Sequence, residues 1–176
     1  VSAKDVILGV IGQIGTAGGT GCVIEFDGEA MRSMTMEERM TVCNMTIEAG
    51  ARAGLVAPDQ RTFDYLSGRP LVPRDAVWND ALKYWRTLPS DPGARFDQEA
   101  EIDVSTLTPQ VTWGTNPGMV TSLEGCVPKL DQARSESERE AWSRAMDYMA
   151  LRPGTPMETV EVKRVFIGSC ANSRIS

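Results

Sequence analysis

Histidine is absent from all 176 residues. That removes the side chain that most often serves as a general base or as a nitrogen ligand near neutral pH. Every Ser-His or Cys-His arrangement within the chain goes with it. Cysteines at metal-binding spacing are missing too: Cys22, Cys43, Cys126 and Cys170 are far apart and form no C-x2-C pair, which excludes a zinc finger. No apolar run approaches the ~18 residues that span a bilayer, and no basic stretch leading into an apolar core opens the chain as in a secretory signal. With a net charge of -6 there is no clustered basic face, so neither nucleic acid nor membrane is expected as a partner. A disulfide framework does not suit a chain that is 41% hydrophobic; reduced thiols and a cytoplasmic type of compartment are the expectation.

What is present reads as a globular α/β protein. Val6, Ile7, Val10, Ile11 and Ile14 recur at helical spacing and predict a helix over 3–14. The glycine run from Gly15 to Gly21 ends it, and a short strand is expected at 22–26. Thr35 and Glu38 form a T-x-x-E capping box ahead of Met36, Met40, Cys43 and Ile47, so a helix running to about Gly54 is predicted, with Cys43 and Ile47 facing the core. Asp59 is placed to cap a brief helix through Leu66, and Asp75 another that carries Trp78, Leu82 and Trp85. Alternation over 99–104 predicts a half-exposed strand, Val111 and Trp113 a second one before the Asn116-Pro117-Gly118 turn, and 136–151 an amphipathic helix. Val165-Phe166-Ile167 reads as a buried final strand. Both ends look cut, so the chain is expected to be a segment of something longer. Interleaved helices and short strands favour a layered α/β fold with a short, mostly parallel sheet flanked by helices.

Three stretches carry candidate chemistry. The glycine run lacks the Lys of a phosphate loop and the third Gly of a dinucleotide fingerprint; a tight turn with close backbone packing is the reading. Asn44, Glu48 and Arg52 lie at i, i+4 and i+8 and share one helical line. Two readings stand there: an exposed Glu48–Arg52 pair, or a carboxylate and an amide facing a polar ligand across a helix made smooth by Ala49, Gly50, Ala51, Ala53 and Gly54. Finally, Gly168-Ser169-Cys170-Ala171-Asn172-Ser173 sits at a strand end, where ligands collect in open α/β sheets. Cys170 is either a structural thiol or a thiolate ligand for a soft metal or an iron–sulfur cluster, with Ser169, Asn172 and Ser173 crowding the same point.

Six stretches in order, TAGGTGCVIEF, MTVCNMTIEAGARAGLVAPD, TFDYLSGRP, LPSDPGARFD, VTWGTNPG and VFIGSCANSRIS, together resemble the 3-isopropylmalate dehydratase large subunits of the aconitase superfamily. Homoaconitase-like and other hydroxy-diacid dehydratases are near alternatives, and a cluster-free, non-catalytic homologue is a third. The resemblance implies that 1–160 is the second, α/β domain of a larger multidomain chain and that 161–176 opens the next domain. It implies one [4Fe–4S] cluster with Cys170 as one of three thiolate ligands; the family's other two, a C-x2-C pair, do not occur here. It implies an open iron acting on a small hydroxy-diacid, with Glu48 as an acid–base residue and Asn44, Ser169 and Asn172 in substrate-binding or supporting roles. The proton-abstracting serine is implied on a separate small subunit. The chain departs from the family pattern at Cys22, where relatives often have His or Ala, at Ala171 in place of Thr, and at Ser176 in place of an acid.

Overall fold

The computed structural model describes residues 1–168, 171 and 172. Helix α1 (Ala3–Ile14) runs into the glycine loop, followed by β1 (Val23–Glu25), α2 (Glu29–Ser33) and α3 (Met36–Met45). A 3-10 turn (Thr46–Ala49) leads to β2 (Ala53–Leu55), then α4 (Gln60–Leu66) and α5 (Asp75–Trp85). The hairpin β3 (Gln110–Thr112) and β4 (Val120–Ser122) and the helix α6 (Glu136–Met149) follow. Strands β1 and β2 pair in parallel, Val23 opposite Ala53, and β3 and β4 pair antiparallel. The α/β expectation holds, with one parallel and one antiparallel pair among the described residues. No helix among them is long and apolar enough to cross a membrane.

Two apolar cores are built around these elements. In the first, Val6, Ile7, Val10 and Ile11 of α1 meet Met31, Met34, Val42 and Met45. The second gathers Trp113, Met119, Val127, Ala145 and Met146, with Trp113 and Trp142 in an edge-on contact at 5.7 Å. The glycine run packs as a tight turn: the Gly19 N–H donates to the Ala49 carbonyl at 2.8 Å, and a Cβ on Gly19 would come within 2.9 Å of Ala51 Cβ. Between 67 and 101 almost every residue is exposed. This arm is anchored by Trp85, which stacks on Phe63 at 6.2 Å and meets Trp78 edge-on.

Several local expectations are corrected. The Thr35-capped helix does not reach Gly54. The Thr46 hydroxyl donates back to the Val42 carbonyl at 3.1 Å, which competes with the helical bond pattern; the chain tightens into 3-10 and stops at Gly50, in the left-handed region with φ 81°. The buried face of α3 is Arg39, Val42 and Met45, so Ile47 is 69% exposed rather than in the core and Cys43 is only half-buried. Asp75 does not cap α5; it is the first helical residue, and Arg74 before it offers no side-chain cap. Residues 99–104 are not a strand. Ile102 and Val104 do turn inward against the first core, but no second strand among the described residues lies alongside, and Asp103 instead caps a 3-10 turn over Val104–Thr106. Val165, Phe166 and Ile167 are neither strand nor buried, with Phe166 93% exposed: no neighbouring strand among the described residues accepts their hydrogen bonds.

The most constrained polar contact is the Arg39–Asp59 pair. Arg39, 3% exposed, donates both terminal nitrogens to the Asp59 carboxylate, at 2.8 and 2.7 Å. It also donates to the Met31 and Arg32 carbonyls, each at 3.1 Å. Asp59 in turn caps α4 by accepting from the Thr62 N–H at 3.2 Å. The guanidinium beside it, with help from backbone N–H groups, holds the Asp59 carboxyl below its ordinary value. A depressed folded value means that the pair stabilises the protein above the ordinary carboxylate range and that this is lost as pH falls through it. Acid unfolding followed by circular dichroism is therefore expected to steepen below about pH 4 in the wild type and to steepen less in Asp59→Asn. Arg39→Leu is expected to cost about 3 kcal/mol in chemical denaturation, because it strands a half-buried carboxylate and takes a donor from two carbonyls.

Candidate functional site

A cleft of about 660 Å³ opens between the two cores. One wall carries Lys4 and Leu8 from α1, Asn44 and Met45 from α3, and Glu48 from the 3-10 turn; the other is Thr112 and Gly114–Pro117 at the end of β3, with Ala171 beside them. Local caps fix both walls. The Thr35 hydroxyl accepts from the Glu38 N–H and the Glu38 carboxylate takes the Thr35 N–H at 2.7 Å, setting the start of α3. Ser2 and Asp5 form the same box on α1. Asp5 then reaches across to accept from the Gln110 N–H at 2.8 Å, tying α1 to the opposite wall. Burial pushes the Asp5 carboxyl up, but the bonds from Gln110 and Ser2 outweigh it and leave it below its ordinary value. Across the cleft, the Asn116 side chain accepts from the Gly118 N–H at 2.9 Å and closes the turn.

Of the sequence candidates, Asn44 and Glu48 come together on this wall. The Glu48–Arg52 pair does not form: the change to 3-10 and the left-handed Gly50 carry Arg52 off Glu48's line. Asn44 donates its side-chain amide to the Ala171 carbonyl at 2.5 Å. Asn172 is held on α3 rather than on the cleft wall; its amide donates to the Glu37 carbonyl at 2.8 Å and lies 3.4 Å from the Thr41 hydroxyl. The two amides thus fasten the 171–172 segment to α3 from both sides. Ser169 and Cys170 lie outside the described residues. Lys4, Thr112 and Thr115 carry no sequence signal that singles them out. No motif marks Lys4, and the WGTN segment is legible only as a turn.

The described residues do not by themselves fit an iron–sulfur cluster, since no three Cys, Asp or Glu side chains among them converge. Cys22, Cys43 and Cys126 are free thiols in separate places. Burial pushes the Cys43 thiol above its ordinary value, which disfavours the thiolate that a metal or an alkylating agent needs. Timed iodoacetamide labelling at pH 8 is therefore expected to modify the exposed Cys126 first and Cys43 well after it, read by mass spectrometry of the peptides.

The cleft thus offers one ammonium, one carboxylate, amides, hydroxyls and an apolar floor, a set suited to a small polar acid. Comparison with protein families matches residues 1–176 to the aconitase family (aconitate hydratase). The chain belongs to the aconitase family, a family of hydro-lyases.

Proposed function

We propose that this chain is part of a hydro-lyase that interconverts 2-isopropylmalate and 3-isopropylmalate by removing and re-adding water, a step of leucine biosynthesis. The observation that carries the reading is that Glu48 and Asn44 line the same wall of the cleft, within a chain that belongs to a hydro-lyase family. The six collinear stretches favour the isopropylmalate enzymes over homoaconitase and other hydroxy-diacid dehydratases. Residues 1–160 supply one domain and 161–176 the start of the next. A separate small subunit is the proposed partner and provides the base that takes the proton from carbon.

Dehydration needs a proton delivered to the departing hydroxyl, and hydration needs one removed from the incoming water. Glu48 is the residue proposed for both; supporting this, it is exposed on the cleft wall and engaged in no ion pair with a described residue. Asn44 is committed to Ala171 and so holds the segment that follows Cys170 against α3. Cys170 is the proposed thiolate ligand of a [4Fe–4S] cluster, which when bound would supply a Lewis-acidic iron; the remaining ligands come from outside the described residues.

In the active holoenzyme, Glu48→Gln is expected to lower kcat by ~10²–10⁴-fold with an unchanged melting temperature, because an exposed carboxylate without an ion pair contributes little to folding. Wild-type kcat in that variant would remove Glu48 from the chemistry. Cys170→Ser is expected to abolish the broad visible absorbance of the reconstituted cluster, whereas Cys43→Ala leaves it intact. Bleaching by both variants, or by neither, would overturn the ligand assignment.

A further inference from the structure

We infer that Lys4 pairs with a carboxylate of the substrate and makes the cleft selective for dicarboxylates. The inference rests on the reading of the cleft as the site of a hydroxy-diacid hydro-lyase, and it concerns a residue that the reading does not use. Among the described lining residues Lys4 is the sole cation and Glu48 the sole carboxylate. Among those residues, a diacid entering this cleft meets one positive charge. Lys4 forms no ion pair with any described residue, so its ammonium is not committed to one of them.

Nor does its charge serve the helix. Lys4 occupies the first turn of the 12-residue α1, where the helix dipole disfavours a cation. The Ser2–Asp5 box stabilises that end without it. Lys4 and Leu8 stand one turn apart and both face the cleft, and Met45 and Pro117 extend the apolar surface. A carboxylate at Lys4 therefore leaves an alkyl side group against Leu8. The Asp5–Gln110 bond, at 2.8 Å, fixes the first turn of α1 to the opposite wall and holds the Lys4 backbone in place.

The test is steady-state kinetics of the active holoenzyme with 2-isopropylmalate and each of its two monomethyl esters. Lys4→Met is expected to raise KM for the diacid ~10–100-fold, the range of one charge-assisted pair, with kcat within about threefold of wild type. The ester that masks the paired carboxylate should bind wild type and Lys4→Met equally. Lys4→Arg should restore most of the affinity, and added salt should narrow the gap between wild type and Lys4→Met. Calorimetric titration with 2-isopropylmalate reads the same contrast without turnover. An unchanged KM and Kd for the diacid in Lys4→Met would overturn the inference, as would an equal loss for the diacid and both esters. If Glu48→Gln loses turnover while Lys4→Met binds normally, the Lys4 inference fails and the proposed function stands. If neither substitution has an effect, the cleft is not the site and both fail.

Discussion

One buried guanidinium sets the geometry on which the cleft depends. Arg39 lies under α3, with its donors spread over the end of α2 and the cap of α4. Helix ends leave carbonyls short of partners, and Arg39 donates to two of them near the end of α2, those of Met31 and Arg32. The same side chain fixes Asp59, whose other duty is to start α4. A charge so deeply placed is tolerated only because its hydrogen bonds are met. Those bonds also fix the rotation of α3 about its axis: with Arg39, Val42 and Met45 turned inward, Asn44 is turned outward to the cleft.

The second constraint is how closely backbones approach beneath Glu48. Thr46 is fully buried, and a Cβ on Gly54 would overlap its hydroxyl. Gly50 sits so near Thr16 and Thr20 that a side chain would come within 2.9 Å of each. The small residues between 49 and 54 thus let β2, the glycine loop and the 3-10 turn share one narrow space, with Glu48 on the outside of that turn.

Short-range rules make part of this fold legible in the sequence alone. The helix over 3–14, the Thr35–Glu38 box and the Asp59 cap depend on neighbours three or four residues away, and all three stand. Strands are different, because a strand exists only when another lies beside it. The alternating 99–104 and the apolar 165–167 have suitable residues and no partner among the described ones. The site is half-legible for the same reason. Asn44 and Glu48 announce each other by spacing, whereas Lys4 reaches them only because α1 packs on α3 through Ile7, Ile11 and Val42. A charged residue in a first helical turn has no pattern that separates it from an ordinary surface lysine.

The exposed arm between Gly68 and Glu101 touches the rest of the protein through few side chains, Trp85 on Phe63 chief among them. Both cores close without it. A segment that shields so little apolar surface is only weakly bound by the packing rules that govern its neighbours, and the entropic penalty for changing its length grows slowly. Among descendants of one ancestor, insertions, deletions and altered helix lengths should collect here and spare the cleft. The arm is then the part of this chain most open to evolutionary divergence, and the place where a lineage could add contacts without disturbing the cleft.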